Sequence, residues 1–85
     1  MPKYRLYILG NNPKSRMAID QIENILAEKY QKKYDLEIID LLQSPQIAIR
    51  DKIFATPTLL KMKPEPVRKI IGTFKDRDKI IKLLD

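Results

Sequence analysis

The residue types that most often carry catalysis or bind metals are missing from this chain. Its 85 residues include no cysteine and no histidine. Thiol–disulfide exchange needs a thiolate, and zinc sites and nucleophile–base pairs depend on the same two residue types. The carboxylates of Asp76 and Asp78 lie at the spacing of a helix start, where acidic side chains complement the helix dipole. The sequence therefore predicts no enzyme, no metal site and no cofactor.

Basic side chains are the remaining candidates for chemistry. The chain carries 17 Lys and Arg against 11 Asp and Glu, a net charge of +6. This excess suits an anionic partner, either nucleic acid or acidic protein, but it is also typical of a solvated lysine-rich surface. Stacking on bases could come from Tyr4, Tyr7, Tyr30 and Tyr34. However, Tyr7 and Tyr30 recur at apolar-face spacing, which favours the core. Because no RNP signature or groove-binding helix is present, nucleic acid is not predicted as a partner and stays the least favoured alternative.

Length and hydropathy indicate one soluble domain. Eighty-five residues suffice for a single modest core, so we assign residues 1–85 to one domain. No apolar run is long enough to cross a bilayer, and no membrane partner is expected. The chain opens without a leader pattern, from which we expect a cytoplasmic protein.

The first half of the chain predicts a strand, a helix and a second strand. Residues 3–9 alternate charged and apolar side chains and then run apolar, as a strand does. Asn12 is a suitable N-cap, with Pro13 at the first helical position. Residues 36–42 have the pattern of a strand, which a right-handed crossover places parallel to the first. The predicted apolar stripe of the helix comprises Met17, Ile19, Ile22, Ile25, Leu26 and Tyr30.

The second half predicts a short helix over residues 46–52 and strands over 58–62 and 67–71. The Lys-Pro-Glu-Pro segment at 63–66 is short and rigid, which favours an antiparallel hairpin that Gly72 ends. A last helix begins near Asp76. The buried side chains predicted for the two helices are Ile47, Ile49 and Ile53, and Ile80, Ile81, Leu83 and Leu84.

Pro57 sets the fold prediction. It lacks a backbone N–H, so it cannot be an ordinary mid-strand residue, and we expect a cis Thr56–Pro57 bond at the entrance to the third strand. Strand, helix, strand, short helix, proline, two strands and helix is the order of a thioredoxin-like domain. The predicted class is α/β, a thioredoxin-like βαβαββα fold with a four-stranded mixed sheet. Because the chain has no cysteine, a thioredoxin-like fold here cannot carry out thiol–disulfide exchange, which favours a binding module.

Several blocks of the chain resemble the KaiB family of circadian clock proteins. They are Gly-Asn-Asn-Pro at 10–13, Ile-Asp-Leu at 39–41, Ser-Pro-Gln at 44–46, Asp-Lys-Ile-Phe-Ala-Thr-Pro-Thr-Leu at 51–59, Pro-Val-Arg-Lys-Ile-Ile-Gly at 66–72 and Asp-Arg-Asp-Lys at 76–79. The resemblance implies a non-enzymatic clock or stress-response module. Such a module docks on the N-terminal ATPase ring of a KaiC-like protein and recruits or releases KaiA or a histidine kinase. The alternative is a redox-dead thioredoxin-like sensor domain of a SasA-type histidine kinase.

The family resemblance also implies two folds. One is a tetrameric ground state in which the region after Pro57 is helical and the last segment is a strand. The other is the thioredoxin-like monomer that binds KaiC, and the two packings must lie within a few kcal/mol of each other.

This chain departs from the family where that balance is set, and it resembles a shortened variant. It starts two residues before its first strand, stops at Asp85 where clock members continue, and has Leu83 where they have Gly. Leucine gains about 0.8 kcal/mol of helix propensity over glycine, and its burial would add more. We expect a monomer resting in the thioredoxin-like state, with a tetramer as the alternative. Pro57, Gly72 and Leu83 are the residues predicted to determine the fold.

The resemblance implies basic contacts to the KaiC-like partner and an edge for output proteins. Arg16 lies one residue before the family's arginine, which turns its charge by about 100° around a helix and weakens that assignment. Asp35 and Glu37 replace small and basic side chains at the output edge, and this disfavours a partner selected for the other sign. The predicted KaiC-like contacts are Lys52, Lys61, Arg68 and Arg16.

Overall fold

Over residues 1–72 and 74–84, which the computed structural model describes, four strands and three helices follow one another in the order βαβαββα. The elements are β1 (Lys3–Ile8), α1 (Pro13–Tyr30), β2 (Asp35–Asp40), α2 (Pro45–Arg50), β3 (Thr58–Lys63), β4 (Arg68–Ile71) and α3 (Arg77–Leu84). The sheet order is β2-β1-β3-β4, with β1 and β2 parallel and the other pairs antiparallel. The predicted fold class is confirmed, and the residues after Pro57 form strands rather than a helix.

Helix α1 begins as the sequence predicts. The side chain of Asn12 accepts a hydrogen bond from the Ser15 N–H at 2.9 Å, and Pro13 occupies the first turn. The buried stripe contains Ala18, Ile22, Ile25 and Leu26. Met17 was predicted to belong to it, but its side chain is half exposed. It lies about 100° around the helix from Ala18, which takes the place facing the sheet.

The main core lies between the sheet and helices α1 and α3. Tyr4, Leu6 and Ile8 of β1 point into it, and Tyr4 shares a 3.0 Å hydrogen bond between hydroxyls with Tyr30. The other members are Ala18, Ile22, Ile25, Leu26, Leu59, Ile70, Phe74, Ile80 and Leu84. Helix α3 is also tied to α1 by an ion pair between Arg77 and Glu28.

Helix α2 covers a smaller core on the opposite face of the sheet. Tyr7, Ile39, Leu41 and Ile53 are buried there, and Tyr7 is fully buried as predicted. Ile49 was predicted to be buried with them, but it is 84% exposed. Ile47 and Ala48 are packed against this core, and Ile49 lies about 200° around the helix from Ile47.

The three residues predicted to determine the fold lie just before β3 (Pro57), just after β4 (Gly72) and in α3 (Leu83). Pro57 is buried after a cis Thr56–Pro57 bond, as predicted, and the Lys63–Pro64 and Glu65–Pro66 bonds in the β3–β4 hairpin are also cis. Gly72 follows β4 with φ +132°, a conformation that side chains rarely allow. Leu83 lies in α3 as expected, but it is 38% exposed while Leu84 is the buried leucine. The predicted gain from burying Leu83 is therefore wrong, and only its helix propensity remains.

Candidate partner-binding surface

The end of α2 is an exposed turn with unusual backbone geometry. Lys52 has φ +58°, in the left-handed region. Its N–H donates to the Ile49 carbonyl at 3.3 Å, and the Ile53 N–H donates to the Ala48 carbonyl at 2.8 Å. This pair of bonds is the Schellman motif, in which glycine usually occupies the left-handed position. Ile53 is buried in the smaller core, and Ala48 packs against the same core. The turn therefore forms without glycine and presents a lysine side chain.

Asp51, the residue before Lys52, anchors this turn to the sheet. Its carboxylate accepts a 2.7 Å hydrogen bond from the Tyr7 hydroxyl and lies 3.5 Å from the guanidinium of Arg5. Arg50 donates to the same carboxylate at 2.9 and 3.2 Å. The hydrogen bonds from Arg50, followed by that from Tyr7, hold the pKa of Asp51 below its ordinary value although burial opposes this. Burial raises the pKa of Tyr7. The ionised carboxylate thus links α2 to β1 at neutral pH.

Lys69 fixes the same turn from β4. Its ammonium donates to the carbonyl of Lys52 at 2.9 Å and to that of Asp51 at 3.3 Å. These carbonyls lie at a helix end, where a cation is favourable. The turn after α2 is therefore held by its own Asp51 carboxylate and by the Lys69 ammonium of β4.

Two exposed apolar side chains flank this anchored turn. Phe54 is 90% exposed and Ile71 is 61% exposed. Ile71 pairs with Thr58 across the β3–β4 ladder, and the Thr58 hydroxyl donates to the Ala55 carbonyl at 2.7 Å. The end of β4 therefore lies beside the segment that carries Phe54. We call Lys52, Phe54, Lys69 and Ile71 the α2–β4 surface.

The sequence-predicted contacts do not gather on this surface. Lys52 belongs to it, whereas Arg68 is directly opposite Lys61 in the ladder, on the face that Leu59 shares. Arg68 donates to the Leu83 carbonyl at 3.3 Å and so supports the end of α3. Arg16 is exposed in the first turn of α1, an element that carries none of the other three.

The structure corrects the prediction made for Lys61. It was predicted to be a contact for a partner, but it is only 4% exposed and presents almost no surface. It lies two residues after Leu59 in β3, so its side chain points to the same face of the sheet as the main core.

The predicted output edge is the free edge of β2. Asp35 and Glu37 are both exposed there, in register with Lys3 and Arg5 of β1. The Arg5 guanidinium donates to the Glu37 carboxylate at 3.0 Å. Arg5 therefore partly offsets the negative charge of Glu37. The sequence did not predict this ion pair.

Sequence reasoning missed Phe54, Lys69 and Ile71 as site residues. The sequence could have indicated that Phe54 is exposed. It lies between the predicted short helix and the predicted strand, so it belongs to the apolar pattern of neither element. Lys69 and Ile71 alternate with Ile70 along β4 and so face away from the main core. Over residues 1–72 and 74–84, no cluster of three or more acidic residues could hold a metal ion. The α2–β4 surface has the chemistry of a docking site, apolar with basic side chains.

Comparison with known proteins identifies the family. The family model of the KaiB domain matches residues 5–85. The circadian clock oscillator protein KaiB of Microcystis aeruginosa is 52% identical over 81 residues, which cover 95% of this chain and 78% of that protein. The KaiB of Cyanothece sp. is 51% identical over 81 residues, covering 95% and 77%. The chain belongs to the KaiB family. This KaiB-family protein thus has relatives named as clock oscillator proteins, not as enzymes, and the predicted family is confirmed.

Solved structures confirm the thioredoxin-like fold of this KaiB-family protein. The N-terminal domain of SasA from Synechococcus elongatus superposes with a TM-score of 0.79 at 23% identity, covering 98% of this chain and 78% of that one. Chloroplastic thioredoxin z gives a TM-score of 0.75 at 16% identity, covering 99% and 75%. At such identities the likeness establishes the fold alone. Among the helices described, none is long and apolar enough to span a membrane.

Proposed function

We propose that this KaiB-family protein is a non-enzymatic clock or stress-response module that docks on the N-terminal ATPase ring of a KaiC-like protein. The α2–β4 surface is the docking site in this proposal. The observation that carries it is Phe54, which is 90% exposed next to a turn held by the Asp51 carboxylate and by Lys69. We place this interaction in the cytoplasm.

The energetics of this surface suit protein binding. Burying an exposed phenylalanine side chain gains about 1.5–3 kcal/mol. The anchored turn loses little freedom when a partner binds, since Asp51 and Lys69 already hold it. Lys52 adopts a backbone conformation that glycine would adopt more cheaply. Residues held in such conformations cluster at functional positions, which supports a role for the lysine side chain.

The thioredoxin-like arrangement is, in this proposal, the binding-competent state, and the monomer rests in it. Two features support a resting thioredoxin-like state. Leu83 has a high helix propensity, and Arg68 donates a hydrogen bond to the Leu83 carbonyl, which links β4 to α3. A protein that already rests in the competent state has no population penalty on its affinity. Association with the ring would then follow a single phase.

The remaining predicted contacts have secondary parts in this proposal. Arg68 and Arg16 would add electrostatic attraction at the margin of the interface and mainly affect the association rate. An output protein such as KaiA, if selected by a basic β2 edge, would bind weakly to an edge that carries Asp35 and Glu37. Docking on the ring is therefore the first function to test, and recruitment of an output protein the second.

Co-elution with a KaiC-like ring in ATP tests the proposal. We expect the protein to co-elute with a hydrolysis-competent ring and not with a ring whose N-terminal ATPase site is inactivated. Equal binding to both rings, or binding to neither, would refute it. Sequence-independent, salt-sensitive binding to an oligonucleotide would favour nucleic acid instead.

A sensor domain of a histidine kinase is the second candidate. The observation that favours it is the TM-score of 0.79 with the SasA N-terminal domain. This chain is 23% identical to that domain and 52% identical to the Microcystis KaiB, so the KaiB-like docking module has the stronger support. Specific co-purification with a histidine kinase from the native lysate, in the absence of any ring protein, would favour the sensor domain.

A further inference from the structure

A chain of paired charges crosses the face of the sheet that α2 covers. Arg5, in β1, contacts a different carboxylate with each of two guanidinium nitrogens. Its Nε donates to the Glu37 carboxylate of β2 at 3.0 Å. Its Nη1 lies 3.5 Å from the carboxylate of Asp51, the residue that ends α2. Arg5 therefore joins the edge strand β2 to the residue that precedes Lys52.

The contacts continue from Asp51 to the opposite edge of the sheet. The Asp51 and Lys52 carbonyls both accept hydrogen bonds from the Lys69 ammonium of β4. Since the strand order is β2-β1-β3-β4, the contacts run from Glu37 at one edge to Lys69 at the other. Lys52 and Lys69 are two of the four residues of the α2–β4 surface. A contiguous network of this kind is the physical requirement for coupling between two distant parts of a protein.

Solvent exposure differs between the two ion pairs of Arg5. The side chain of Glu37 is 55% exposed, whereas those of Arg5 and Asp51 are 23% and 14% exposed. Water and salt weaken an exposed charge pair more than a partly buried one. Glu37 is therefore the member that a cation of another molecule can reach. Neutralising Glu37 leaves the Arg5 guanidinium to Asp51 alone.

We propose that Arg5 is a positioning residue that transmits the charge of the β2 edge to the α2–β4 surface. Ionised Glu37 competes with Asp51 for the guanidinium. When a basic side chain of another molecule neutralises Glu37, Arg5 pairs more closely with Asp51 and holds the turn that carries Lys52 more firmly. The effect on ring docking rests on the proposed function, whereas the link between the two carboxylates does not.

The pKa of Asp51 reports this link directly. It is measured from the NMR signal of the Asp51 carboxyl carbon while the ¹³C-labelled protein is titrated with acid. We expect Glu37→Gln to lower this pKa further, because closer pairing with Arg5 and the loss of a nearby negative charge both favour the ionised carboxylate. Asp35→Asn is the matched control. It removes the same charge from the same strand, but Asp35 is in register with Lys3 rather than with Arg5, so its effect should be less than about half as large.

A double-mutant cycle separates transmission through Arg5 from direct repulsion between the two carboxylates. Arg5→Gln removes the charge, and Asp51 keeps its hydrogen bonds from Tyr7 and Arg50, so the fold should be retained. In this background, Glu37→Gln should change the pKa of Asp51 by less than about half as much as it does in the wild type. An undiminished change would overturn the proposal, because the carboxylates would then interact without the guanidinium.

Affinity for a KaiC-like ring tests whether the link reaches the docking surface. Arg5→Gln should bind about threefold or more weakly, although the α2–β4 surface keeps all four of its side chains. Glu37→Gln should bind about twofold or more tightly, and Asp35→Asn, with the same net charge, should bind like wild type. Equal affinities of Glu37→Gln and Asp35→Asn would overturn the regulation. If the wild type itself does not bind the ring, the proposed function is wrong, and the carboxyl titration still supports or overturns the link from Glu37 to Asp51.

Discussion

Replacing Lys52 by glycine should stabilise the protein and weaken its docking at the same time. A non-glycine residue in the left-handed region costs about 1–2 kcal/mol, and Lys52 has φ +58°. Glycine removes that cost but loses about 0.4–1 kcal/mol through the greater freedom of the unfolded chain. The net expectation is a gain of about 0.5–1 kcal/mol in the free energy of unfolding. For a domain of this size that raises Tm by about 2–8 °C.

The comparison variant is Lys52→Ala, which removes the same side chain but keeps the strained backbone. We expect its stability to stay within about 0.5 kcal/mol of wild type, as for most exposed substitutions. Both variants should lose ring affinity to a similar extent, because both lack the ammonium. Thermal unfolding and binding to a KaiC-like ring are measured on the same three proteins. A glycine variant less stable than the alanine variant would refute the argument about backbone strain. Unchanged affinity in both would refute the role of Lys52 in docking.

Two further predictions concern Asp51 and Leu83. The pKa of Asp51 is lowered in the folded state, so its contribution to stability is complete above the unfolded value near pH 4 and is lost as pH falls through the folded value. Asp51→Asn should therefore cost about 1–2 kcal/mol at pH 7 and flatten the acid side of the stability profile measured by urea unfolding. A profile that stays parallel to wild type as the pH falls from about 4 through the folded pKa of Asp51 would contradict this. Leu83→Gly should weaken α3 by about 1 kcal/mol and raise any population of a second fold. Sedimentation and amide spectra measure this, and a tetramer or doubled signals already present in the wild type would contradict a resting thioredoxin-like monomer.

Local signals in the sequence were sufficient to predict the fold. Asn12 and Pro13 mark the start of α1, and the rigid segment between β3 and β4 favours the hairpin that is observed. The errors have a common cause. Periodicity locates an apolar stripe but not which residue at its margin faces the sheet, and Met17, Ile49 and Leu83 are such marginal positions. Their exposure depends on how each helix is rotated against the sheet.

The candidate site was less predictable than the fold. Lys52 was identified by resemblance, but its left-handed turn lacks the glycine that usually signals a Schellman motif in sequence. Lys69 reaches that turn from 17 residues away, a tertiary contact without a local signature. Burial of Lys61 could have been inferred, because strand period places it on the same face as Leu59. The family resemblance therefore named one residue of the α2–β4 surface, and it also named Lys61, which is buried.

Binding of the Phe54→Ala variant to a hydrolysis-competent KaiC-like ring tests the central claim most directly. Val67→Ala is its matched control, since Val67 is also an exposed apolar residue but lies at the opposite end of the β3–β4 hairpin. If the α2–β4 surface is the docking site, Phe54→Ala should bind at least about tenfold more weakly, while Val67→Ala binds like wild type. Both variants should unfold at the wild-type temperature, because neither side chain contributes to the core. Equal affinity of Phe54→Ala and wild type for the ring would contradict the account.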